Sequence, residues 1–124
     1  MRLFSSKQVA EITGVAVSTL DRWAAAGIVP TTVPAAGKGT GRRFSIRDVV
    51  LVEVARKLAA LGIAHDTIKG VVKLAGEIIE PPIGNGTFVV KAENEDDPDG
   101  MALSIPLAAI KRRVEARIWQ LDKE

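Results

Sequence analysis

Apolar positions recur along the chain with two periods, a helical one over most of its length and a two-residue one in short stretches. Between Ser5 and Gly14, Val9 and Ile12 are the inward positions of a short helix. Ser5 is its N-cap, Gln8 stands at the capping-box distance, and Phe4 and Val9 form a hydrophobic staple. Gly14 supplies the left-handed residue that stops this helix, and a second one runs from about Ala16 to Ala26 before Gly27 closes it in the same way. Val15, Val17 and Leu20 are placed to pack the pair. Two short helices joined at a glycine make a helix-turn-helix candidate.

From Val29 to Phe44 the rhythm changes. Pro30, Thr31, Thr32, Val33 and Pro34 precede Gly37-Lys38-Gly39-Thr40-Gly41, and Arg42-Arg43-Phe44 follows. This order predicts a two-stranded wing with a mobile basic tip. A new helix starts at Ser45, with Asp48 at the capping-box distance and Phe44 against Val49 as staple. Its apolar positions are Val49, Val52, Leu58 and Leu61, and Gly62 ends it. A fourth helix spans about Ala64 to Ile79 on the apolar set Ile68, Val71, Val72 and Ala75.

Pro81-Pro82 and Gly84-Asn85-Gly86 cannot continue a helix, so the expected module boundary lies here. Thr87 to Ala92 and Met101 to Ile105 read as short strands joined by the acidic Glu93 to Gly100 turn, in which Asp99-Gly100 is the strongest turn signal. Pro106 suits the first turn of a last helix. In it Leu107, Ile110, Val114, Ile118 and Leu121 form one apolar stripe beside Lys111, Arg112, Arg113 and Arg117. A hairpin and one helix are too little to stand alone, so they must pack on the first module, on a second copy or on another protein, and the stripe is assigned to dimerisation. The expected fold is mainly α with small β. Residues 1–80 form a winged helix-turn-helix of four helices and a two-stranded wing; residues 81–124 add a β-hairpin and a C-terminal helix as an association module.

Composition narrows the chemistry. The chain has no cysteine, which excludes disulfides, thiol nucleophiles and thiolate metal sites. Aromatic residues are scarce, so a stacking platform for single strands is not expected. The start carries no signal-peptide pattern and no apolar run is long enough to span a bilayer, so a cytoplasmic, nucleoid-associated location is expected, with no membrane partner. Charge is segregated: Met1 to Leu74 carries eleven Lys and Arg against five acids, and Ala75 to Glu124 six against ten. The basic half fits a polyanion.

Catalytic and cofactor patterns fail on inspection. His65 is the lone histidine, which leaves it without partners for a metal site. In Gly37-Lys38-Gly39-Thr40-Gly41 the lysine is followed by glycine, against the phosphate-loop spacing. The acidic segment 93–100 does not follow a calcium-loop order. No catalytic constellation, metal site or cofactor is expected, and the chain does not read as an enzyme.

Recognition remains. Ser18 and Thr19 near the start of the second helix, with Asp21 and Arg22 a turn later, are placed to reach base edges in a major groove, while Leu20 and Trp23 are anchors. Arg42 and Arg43 alternate faces at the base of the wing, so one points toward phosphates, and Lys38 sits at its tip.

The ordered set Phe4-Ser5-Ser6-Lys7-Gln8-Val9-Ala10, Thr13-Gly14-Val15-Ala16-Val17-Ser18-Thr19-Leu20, Ala26-Gly27-Ile28-Val29-Pro30, Gly41-Arg42-Arg43-Phe44-Ser45, Asp48-Val49 and Leu61-Gly62-Ile63 resembles the DNA-binding domain of MerR-type regulators. The resemblance covers about residues 3–74. The Asp21-Arg22-Trp23 version is closer to the small excisionase-like and developmental-regulator branch. It implies a homodimeric transcription factor on double-stranded DNA. Ser18, Thr19, Asp21, Arg22 and Trp23 then fall on the recognition-helix contact positions, and Arg42 and Arg43 on the phosphate-binding wing. Family members continue into a long dimerising helix, which Pro81-Pro82 interrupts here. A phage-type DNA-bending protein, and an antitoxin-like or adaptor protein that binds a protein partner through residues 81–124, are the alternatives.

Overall fold

The computed structural model describes residues 1–35, 41–79, 87–94 and 97–123. The chain is mainly helical with two small antiparallel strand pairs. β1 (Phe4–Ser5) leads into α1 (Ser6–Thr13), whose start has both legs of the capping box. Gln8 N–H donates to Ser5 Oγ at 3.2 Å and Ser5 N–H to Gln8 Oε1 at 2.9 Å. Gly14, at φ 80°, ends the helix, because a side chain would be strained there. Thr13 stitches the turn: its hydroxyl donates to the Val9 carbonyl at 2.8 Å and accepts from Val15 N–H at 3.3 Å.

α2 (Val17–Ala25) follows at once. It ends where Ile28 N–H reaches back to the Trp23 carbonyl at 2.9 Å around Gly27, a Schellman closure. The chain then runs out along Val33 and returns as β2 (Arg43–Phe44). Among the described residues the wing ribbon is short. Val33 and Arg43 form one isolated bridge, and the other edge of β2 pairs with β1, Phe4 opposite Phe44 and Ser5 opposite Arg43. Pro30 and Pro34 flank Val33 and lack the N–H groups that a longer ladder needs.

α3 (Ile46–Ala60) opens with a second complete capping box, Ser45 with Asp48. Asp48 is buried and also accepts from the Thr32 hydroxyl at 2.6 Å, so one carboxylate caps the helix and fixes the outgoing arm of the wing. α3 is the central helix. Val50, Leu51, Val54 and Ala55 are buried along with Val49, Val52 and Leu58, so it is enclosed nearly all round rather than on one stripe. Leu61, expected among its inward positions, is 71% exposed just past its end. α4 (His65–Ile78) lays Ile68, Val71, Val72 and Ala75 inward as its periodicity predicts.

The hairpin is longer than expected. β3 (Thr87–Asn94) pairs with β4 (Asp97–Pro106) from Thr87 opposite Pro106 to Asn94 opposite Asp97, with an irregularity after Ala92. Asp99 and Gly100 therefore lie within a strand and do not form the turn. The ladder extends past them because Met101 opposite Ala92 continues the pairing toward the acidic residues.

α5 (Leu107–Lys123) packs on α3 and α1. Leu107, Ile110, Val114 and Ile118 are buried in the same hydrophobic cluster as Phe4, Leu20 and Val52, and Leu121 is packed against it. The stripe expected to dimerise is covered from within its own chain, because α3 presents apolar side chains on the flank that α1 and α4 leave open. One core thus takes side chains from both sides of the expected boundary at Pro81-Pro82, a dipeptide outside the described residues.

Candidate nucleic-acid interface

α2 divides by face. Leu20 and Trp23 point into the core at 0% and 6% exposure, while Ser18 and Arg22, one turn apart, are exposed and Thr19 is half-buried beside them. Ala16 makes no side-chain cap, and the first helical bond runs from Leu20 N–H to the Ala16 carbonyl at 2.9 Å. The N–H groups of Val17, Ser18 and Thr19 are thus not taken up by the helix ladder, where the macrodipole favours an anion.

Asp21 and Arg42, both expected at the DNA, meet each other. Arg42 Nη1 lies 3.3 Å from Asp21 Oδ1, with Arg42 21% and Asp21 47% exposed. The pair joins the base of the wing to α2. Arg43 is exposed, its guanidinium donating to the Arg42 carbonyl at 3.1 Å. Its backbone is held on both sides, by Val33 and by Ser5. Trp23 sits in the core beneath the exposed face. Lys38 lies outside the described residues. His65 is exposed at the start of α4.

A charge cluster around one buried carboxylate was not singled out in the sequence. Glu53 is fully buried in α3, and Arg56 grips both its oxygens, with Nε at 3.1 Å from each and Nη2 at 2.6 Å from Oε1. These hydrogen bonds raise the Arg56 pKa further above its ordinary value. Arg117 of α5 approaches the same carboxylate at 3.8 Å and donates to the Ile12 carbonyl at 2.9 Å. The last helix is thereby tied to the turn of the helix-turn-helix. The visible signal was a lone acid among Val49 to Ala55, which needs a cation if it is buried.

The family model described as MerR HTH family regulatory protein matches residues 4–74. This chain belongs to that family. None of the curated proteins shows significant similarity to it. The MerR match covers α1, α2, the wing, α3 and most of α4, so membership supports a DNA-binding transcriptional regulator rather than an enzyme. Among the described residues no group of three or more His, Asp or Glu is arranged to hold a metal, and no helix is long and apolar enough to cross a membrane.

Proposed function

We propose that this MerR-family chain is a sequence-specific regulator that binds double-stranded DNA as a homodimer in the cytoplasm. Ser18, Thr19 and Arg22 read base edges from α2 in the major groove, while Arg43 and Lys38 hold flanking phosphates. Asp21 and Arg42 act one step back, setting the angle between helix and ribbon. Trp23 supports the helix from below. The observation that carries this reading is the Asp21–Arg42 pair, which braces an exposed polar helix face against an exposed arginine on the ribbon.

The association surface of residues 81–124 falls on what α5 leaves outside. The two-stranded β3–β4 sheet has an unpaired outer edge on each strand among the described residues, and Val89 and Trp119 are 51% and 57% exposed. Open strand edges with apolar side chains favour pairing with a second copy. Selection of bound sites from random duplex DNA, followed by footprinting, tests the whole reading. We expect near-palindromic sites with half-sites about 10 bp apart, one helical turn. A protein that ignored duplex DNA even at low ionic strength would refute it.

A further inference from the structure

A cleft of about 400 Å³ opens between the turn that leaves α2 and the face of α4. Its floor is apolar: Ile28, Val29 and Pro30 from the turn, Leu51 from α3 and Val72 from α4. Lys69 and Lys73, one helical turn apart on α4, stand on its rim. Both are exposed, and neither has an ion-pair partner among the described residues. Arg47 also lines the cleft, but it is engaged, donating to the Gly76 carbonyl at 2.6 Å. Glu77 is the one acid at the edge. The rim is therefore cationic in balance.

We infer that this cleft binds a small organic anion with an apolar body, its acid group between Lys69 and Lys73 and its hydrocarbon on Val29 and Val72. The volume lies in the range of small-molecule sites, and such sites pair an apolar lining with a few placed charges. A DNA phosphate would use the lysines but has no use for the floor. Lys69 also connects the cleft to the recognition helix. A Cβ placed on Gly27 would lie 3.5 Å from both Lys69 Cε and Nζ, so this ammonium rests against the glycine that closes α2. There it faces the negative end of the helix dipole. An anion in the cleft competes with that helix end for Lys69, so occupancy is linked to the setting of α2, and the linkage is reciprocal. This regulatory consequence rests on the DNA-binding reading; the site itself does not.

The test uses the full chain without DNA. With 2-naphthoate as probe, the methyl NMR signals of Ile28, Val29 and Val72 are expected to shift saturably with a Kd tighter than about 1 mM. The neutral 2-naphthalenemethanol is expected to bind at least about tenfold more weakly, as is naphthoate to the K69Q/K73Q double variant. Both substitutions are on exposed positions, and the same methyl spectra report whether the variant is folded. Equal binding of acid and alcohol, equal binding by the variant, or unshifted floor methyls would overturn the site. If naphthoate leaves the spectrum unchanged while the double variant loses affinity for random duplex, the lysines serve phosphates and the inference is wrong. A chain that takes naphthoate but no duplex would remove the DNA reading alone.

Discussion

Asp21 on α2 and Arg42 at the base of the wing neutralise each other at 3.3 Å. A partly exposed pair of this kind contributes at most about 1 kcal/mol to stability. Its effect on a polyanion is larger, because the aspartate repels phosphates and occupies the arginine. Asp21→Asn is therefore expected to tighten binding to random duplex and to steepen the dependence of log K on log salt by about one contact. The thermal midpoint should move little. Unchanged salt dependence in a filter-binding or anisotropy titration would show that Arg42 stays away from the backbone when released.

Arg43 has no acidic partner among the described residues and stands exposed on a backbone pinned from two sides. Arg43→Ala should weaken all duplexes alike and flatten the salt slope by about one unit. Thr19→Ala and Arg22→Ala should instead cost about 1–3 kcal/mol on the selected site and little on random DNA. Competition between the two DNAs separates the cases. Equal losses on both would place Thr19 and Arg22 at the backbone.

Both capping boxes, the glycine stops at Gly14 and Gly27 and the inward set of α4 were legible because local side-chain chemistry determines them. The buried enclosure of α3 was not. Its run from Val49 to Ala55 satisfies more than one helical face, and only the tertiary arrangement decides how many are covered. The same limit applied to the site. Residue type placed Asp21 and Arg42 near DNA, but their mutual pairing depends on how the ribbon folds back, which no spacing encodes. The hairpin reverses inside the expected 93–100 segment, but the strong local signal Asp99-Gly100 lies within β4, because cross-strand pairing of Met101 with Ala92 carries the ladder past it.

Glu53 holds two arginines from one buried carboxylate. Glu53→Gln keeps the shape but removes the charge, and each charge-assisted hydrogen bond contributes about 1.5–3 kcal/mol. The variant should lower the unfolding free energy from urea titration by an amount in that range, because Arg56 and Arg117 are partly exposed and can turn to water. Arg117→Ala should cost less than Glu53→Gln and should also loosen the link to the Ile12 carbonyl. Faster amide exchange at Val15, beyond any change in global stability, would register that link. No change at Val15 would mean that α5 does not hold the turn.

Arg2 and Asp122 join the two ends of the described chain, with Nη1 at 2.7 Å from Oδ2. The hydrogen bonds from Arg2 hold the Asp122 carboxyl below its ordinary range. A carboxyl whose folded pKa lies below its unfolded one stabilises the fold fully above the ordinary carboxylate range, and that contribution is lost as pH falls through the folded value. Asp122 should therefore titrate below the usual carboxylates in an NMR pH series, and Arg2→Gln should return it to them. A normal titration in the unaltered chain would show that the pair does not form in solution.

The stripe on α5 offers the sharpest test of where the last helix lies. Leu107 and Val114 are fully buried in the chain's own core. Leu107→Ala should therefore cost about 2–5 kcal/mol through lost burial and a cavity, at any protein concentration. Ile118→Asp brings a carboxylate against α3 and α1 and should lower the urea midpoint or release α5 altogether. Because the contact is intramolecular, neither effect should depend on dilution. Sedimentation and urea unfolding of the same samples decide the matter: a dimer that became a folded monomer, with its midpoint unmoved, would place the stripe between two copies instead.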